Sequence, residues 1–142
     1  MLTPAHKTLV QTSFAAIAPI ADDVAVLFYG RLFEIDPSLR QMFRGDMTEQ
    51  RRKLMQMLTA AVKGLDRLEQ LVPVVQELGR RHGTYGVTDA HYDTVGAALL
   101  WTLDRGLGSG FTPEVEEAWT SVYGLLATTM REAAAQKACA AA

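Results

Sequence analysis

Apolar residues recur along this chain at helical intervals, and the alternation that marks a half-buried strand is nearly absent. Thr3-Pro4 reads as an N-cap followed by proline at the first helical position. The helix it opens carries Leu9, Val10, Phe14 and Ile17 and ends near Pro19. Asp22-Asp23 place acidic side chains where a helix N-terminus favours them, and Ala25, Phe28, Tyr29, Leu32 and Phe33 then follow the spacing of a buried stripe. Asp36-Pro37 starts a short turn running to Phe43, before an Arg44-Gly45-Asp46 loop. Asp46 with Glu49 resembles a capping box, and its helix shows Leu54, Met57, Leu58, Ala61 and Leu65 on one face. The next helix runs through Leu71, Val74, Val75 and Leu78 to His82, where a glycine-rich corner begins. Thr88 caps a helix with Tyr92, Val95, Leu99, Leu100 and Leu103, and Gly106 to Gly110 reads as a loop. Thr112-Pro113 repeats the capping device before a long last helix with Val115, Ala118, Trp119, Val122, Leu126, Thr129 and Met130 facing inward. The pattern predicts one all-α domain over residues 1–142, with six to eight helices and an alanine-rich tail fraying from about residue 134.

Composition narrows the function classes. Apolar residues make up 49% of 142, ordinary for a globular protein, and fourteen basic against sixteen acidic residues leave a net charge of −2. With no Lys/Arg run, nucleic-acid binding has no electrostatic support. The expectation is also of no membrane span, because no apolar stretch approaches the ~20 residues that one needs. The N-terminus shows no secretion-signal anatomy, which makes the cytoplasm the default. Cys139 is the single cysteine, so an internal disulfide and a thiolate cluster are excluded.

Three polar residues sit where the helical count predicts apolar ones: Tyr29, Gln50 and His82. Each has a bland reading. A buried tyrosine usually bonds a carbonyl, Gln50 is near a helix start, and a lone histidine on an apolar face is more often a core residue than a ligand. An unpartnered buried polar group costs on the order of 1–3 kcal/mol, which makes three together harder to set aside. If His82 does bind a metal, the ligand count limits which. A protein-only zinc site wants four ligands, yet His6 and His91 lie near polar helix starts and no paired His or Cys spacing exists. The remaining equatorial ligands would come from a cofactor. A haem needs one protein imidazole in an apolar helical pocket, and the missing C-x-x-C-H motif rules out covalent c-type attachment.

The segment Leu27-Phe28-Tyr29-Gly30-Arg31-Leu32-Phe33-Glu34-Ile35-Asp36-Pro37 resembles single-domain bacterial haemoglobins and the globin half of flavohaemoglobins. Phe43, Glu49-Gln50, Arg81-His82, Ala90-His91-Tyr92, Ala118-Trp119 and Tyr123-Gly124 continue the match in order, to about residue 133. The resemblance implies a globin fold around haem b, with His82 as proximal iron ligand. Phe43 packs on the haem face, Gln50 and Leu54 lie distal, and Tyr29 points into the same space. Leu78, Val87 and Tyr92 line the cofactor, and Arg81 meets either a propionate or solvent.

The iron would be five-coordinate or weakly six-coordinate. The function implied is reversible binding of O2, with NO and CO as further ligands, for oxygen binding or delivery. The alternative is nitric oxide dioxygenation served by a separate NAD(P)H-dependent reductase. A haem-free helical interaction module is the reading from another class. The oligomer is a monomer or a homodimer. The family pairs the proximal histidine with a tyrosine and a glutamate. Tyr92 matches the first, but Ala134 occupies the second position, which implies a less electron-donating histidine.

Overall fold

The computed structural model describes residues 3–43, 45–84 and 86–141, leaving aside the side chains of residues 84 and 136–141. Arg44 of the predicted loop and the Cys139 thiol lie outside the described residues. Six helices follow in order: α1 Pro4–Ile17, α2 Ala21–Ile35, α3 Met47–Gly64, α4 Leu68–Thr84, α5 Asp89–Leu107 and α6 Pro113–Ala141. Short 3-10 turns at Ala18–Ile20, Pro37–Met42 and Gly108–Gly110 join them, and the described residues hold no strand.

Local chemistry explains where the helices start. Thr3 accepts from the His6 N–H at 3.1 Å, and Thr112 accepts from the Val115 N–H at 3.2 Å. His6 Nδ1 in turn accepts from the Thr3 N–H, and His91 Nδ1 from the Thr88 N–H at 3.0 Å. Two of the three histidines are therefore helix caps. At α3 the outcome differs from the expected box. Asp46 accepts from the Thr48 N–H at 2.9 Å, while Glu49 pairs with Arg52 one turn on.

Further differences follow from helix geometry. Gly106 and Leu107 stay in α5, and the break comes at Gly108, whose φ of 57° an L side chain rarely adopts. Val74 is 64% exposed and Met57 38% exposed, against the expected inward faces. At about 100° per residue, each lies roughly 70° from the centre of its stripe. The stretch Pro4–Ile35 does reach the length and mean hydropathy (1.4) of a membrane span, contrary to the sequence expectation. Its Val10, Phe14, Ile17, Val24 and Phe28 are buried in the core, and a 3-10 turn containing Pro19 interrupts it.

The helices pack chiefly as α1 on α6, α4 on α6, α2 on α5 and α3 on α2. Trp119 of α6 donates its indole N–H to the buried Ser13 hydroxyl of α1 at 2.8 Å, and Ser13 bonds the Leu9 carbonyl. Gln50 thus sits on a helix packed against α2, and His82 on a helix packed against α6. The two helices, α3 and α4, also touch each other, with Leu71 packing on Gly64.

Candidate functional site

The α2–α3 wall gathers three residues that lie far apart in sequence. Gln50 Nε2 donates to the Tyr29 phenol oxygen at 3.1 Å. The Phe43 ring stands edge-on to Tyr29, centroids 5.4 Å apart, and to Phe33 at 5.6 Å. Tyr29 is 6% exposed. Burial pushes its phenol above the usual tyrosine range, and the Gln50 bond partly opposes this. The phenol therefore stays a neutral donor at physiological pH. Since its oxygen already accepts from Gln50, its own O–H is the group left to offer. Leu54 and Leu58 follow Gln50 at one-turn intervals and stay only partly buried, as the apolar lining of a cleft would.

The α4 wall is built around His82. Its Nδ1 lies 2.8 Å from the Leu78 carbonyl oxygen. A carbonyl can only accept, so Nδ1–H is the donor, and Nε2 is the ring nitrogen that could act as a metal ligand. Leu78 and Val87 are partly buried against the core on either side of it. The corner after α4 is closed by the Val87 N–H donating to the His82 carbonyl at 3.1 Å, with Gly86 at φ 84° permitting the reversal. The arrangement fixes the ring's tautomer and the direction in which the chain leaves it. Arg81 is exposed and lies 3.7 Å from Glu77, on the solvent side of α4.

Behind His82, α6 comes unusually close. A Cβ on Gly79 would fall 2.4 Å from the Met130 carbonyl oxygen, and one on Gly83 would fall 3.1 Å from Ala134 Cβ. Ala134 therefore abuts Gly83, the residue next to His82. Tyr92 is buried on α5, and the Tyr123 hydroxyl donates to its carbonyl at 2.6 Å. Two participants escaped the sequence reading. Phe33 carried a signal, since it lies one turn beyond Tyr29. Arg131, whose guanidinium lies over the Tyr92 ring at 5.7 Å, carried none. Among the described residues no cluster of three His, Cys, Asp or Glu could hold a metal by itself.

An all-α fold that holds one imidazole against its own helix at the Leu78 carbonyl, and a phenol–amide pair between α2 and α3, defines a helical protein with polar groups on otherwise apolar helix faces. The globin family profile matches residues 26–130, and the chain belongs to the globin family. The flavohemoprotein of Bacillus subtilis is 30% identical over 129 residues, which are 86% of this chain and 32% of that protein. The chain thus spans about a third of that relative's length. Neuroglobin-1 of Oncorhynchus mykiss is 28% identical over 91% of this chain and 90% of its own. Among solved structures, an engineered carbene transferase made from a nitric oxide dioxygenase candidate of Rhodothermus marinus superposes with a TM-score of 0.88. It is 25% identical, and the match covers 99% of this chain and 98% of that one.

Proposed function

We propose that the chain holds haem b through His82 and binds diatomic gases, oxygen foremost, on the cleft face lined by Tyr29 and Gln50. Membership of the globin family supports haem-based gas binding. The observation that carries the residue assignment is the His82 Nδ1–Leu78 carbonyl bond. It makes Nε2 the nitrogen that would face a metal and holds the ring by its other nitrogen, as metal-ligating histidines commonly are held. When bound, haem would supply an iron able to bind a small diatomic ligand.

The chain's own residues set what happens at that position. Leu54, Leu78 and Val87 supply an apolar lining that excludes water, and Phe43 packs against the cofactor face. Tyr29 offers its O–H to the ligand while Gln50 orients the phenol. Oxygen, which draws electron density, gains more from that donor than carbon monoxide does. Leu54 thereby acts sterically, Tyr29 as donor and Gln50 as support. Arg81 keeps its two alternatives, a propionate or solvent.

Nitric oxide dioxygenation is the second reading, favoured by the flavohemoprotein similarity and by the description of the Rhodothermus marinus structure. It calls on a separate NAD(P)H-dependent reductase. Ala134 in place of a carboxylate beside His82 favours the carrier. In either reading the protein is cytoplasmic, as a monomer or homodimer. An NO-consumption assay with a supplied reductase decides between them. The carrier reading expects a reversible oxygen spectrum and NO turnover no faster than one equivalent per haem. Sustained catalytic turnover overturns it in favour of the enzyme.

A further inference from the structure

The paired approaches of Gly79 to Met130 and Gly83 to Ala134 make α4 and α6 advance together, four residues against four. Arg131 occupies the intervening turn of α6 as His82 occupies that of α4. Its guanidinium rests on the Tyr92 ring, 8% exposed, one turn into α5 after the corner that follows His82. Tyr123 fixes the same spot by bonding the Tyr92 carbonyl while its ring packs on Gly96.

The charged groups of this wall are not all paired alike. Arg80 and Arg81, also near His82, share Glu77 at 3.1 and 3.7 Å. Arg131 makes no ion pair among the described residues. Asp89 and Asp93 are exposed on α5, and they act on Tyr92 and Tyr123 without pairing with Arg131. One turn on from Arg131, where the family resemblance implies a glutamate, stands Ala134. Arg131 is thus held by a ring rather than by a carboxylate, although Asp89, Asp93 and its sequence neighbour Glu132 are exposed on the same helices.

We propose that Arg131 is a positioning residue of the proximal wall: held on Tyr92 and in no ion pair among the described residues, its guanidinium favours the ferrous over the ferric state of the haem bound at His82. Reduction adds one electron from an external reductant and breaks no bond. It lowers the net charge of the site by one, and a fixed, partly buried cation stabilises the more negative state. The inference rests on the haem reading above.

The test is the midpoint potential of the haem-loaded full chain, measured by spectroelectrochemistry on wild type, Arg131→Gln, Arg131→Lys and Ala135→Glu. Position 135 is exposed and one turn from Arg131, so a carboxylate there pairs with the guanidinium without entering the wall. The potential is expected to fall in Arg131→Gln and in Ala135→Glu and to be retained in Arg131→Lys. Unchanged potentials in the first two overturn the proposal, as does an equal fall in the lysine variant, which would make the effect one of shape. If Arg131→Gln takes up no haem, Ala135→Glu decides alone. A wild-type chain that shows no Soret band fails at the earlier step and overturns the haem reading, and this proposal with it.

Discussion

Tyr29 and Gln50, on different helices, meet in a single hydrogen bond in which the amide donates to the phenol oxygen at 3.1 Å. The direction of that bond orders their roles. Gln50 spends a donor on Tyr29, which leaves the Tyr29 O–H to donate elsewhere. The two act in series rather than as parallel donors, and a polarised chain of this kind strengthens its last member.

Tyr29→Phe removes that last member. A hydrogen bond toward developing charge is worth about 1.5–3 kcal/mol, which corresponds to an oxygen dissociation rate raised roughly 10- to 150-fold. Stopped-flow displacement of oxygen by carbon monoxide checks it. Gln50→Leu is expected to act in the same direction and more weakly. The double variant should be close to Tyr29→Phe alone, because coupled residues are not additive.

The glycines behind His82 give contrasting stability predictions. Gly79→Ala forces a methyl into the Met130 backbone and should cost ~1–3 kcal/mol despite alanine's better helix propensity. Gly83→Ala meets only the Ala134 methyl at 3.1 Å, so clash and propensity nearly cancel. Urea unfolding of the two variants should separate them clearly.

Ser13→Ala leaves the buried Trp119 indole N–H without its acceptor, at a cost of about 1–3 kcal/mol. Ser13→Thr keeps the hydroxyl and should recover part of the loss. The same unfolding experiment, followed by tryptophan fluorescence, reports both.

Alkaline pH should destabilise the fold through its buried phenols. Burial raises Tyr29, Tyr92 and, most strongly, Tyr123 above their ordinary value of 10.0. A raised folded-state value means that the unfolded chain gives up these protons first. Their contribution is fully present below pH 10 and is lost as pH rises through and beyond it. Stability measured from pH 8 to 11 should fall at the upper end, and Tyr123→Phe should flatten that fall.

Helix positions were largely legible because proline, threonine and aspartate caps and the apolar stripes agree with one another. The departures share one cause: a stripe's edge is not its centre, and only packing decides how far burial spreads. Val74 and Met57 lie at such edges. The cleft was half legible. Tyr29, Gln50 and His82 stood out as polar residues on apolar faces, yet the bond joining the first two spans twenty-one positions that no local rule connects. Arg131 lay beyond reach, since a lone arginine on an exposed-looking turn acquires its meaning only from the close α4–α6 crossing.

The central claim is that His82 is the residue through which this chain holds haem. Titrating haemin into the purified full chain and recording the Soret band, for wild type and His82→Ala, tests it most directly. Wild type is expected to give a saturable one-to-one spectrum, His82→Ala to lose or markedly shift it, and imidazole added to the variant to restore it. Identical spectra for the two proteins would contradict the claim.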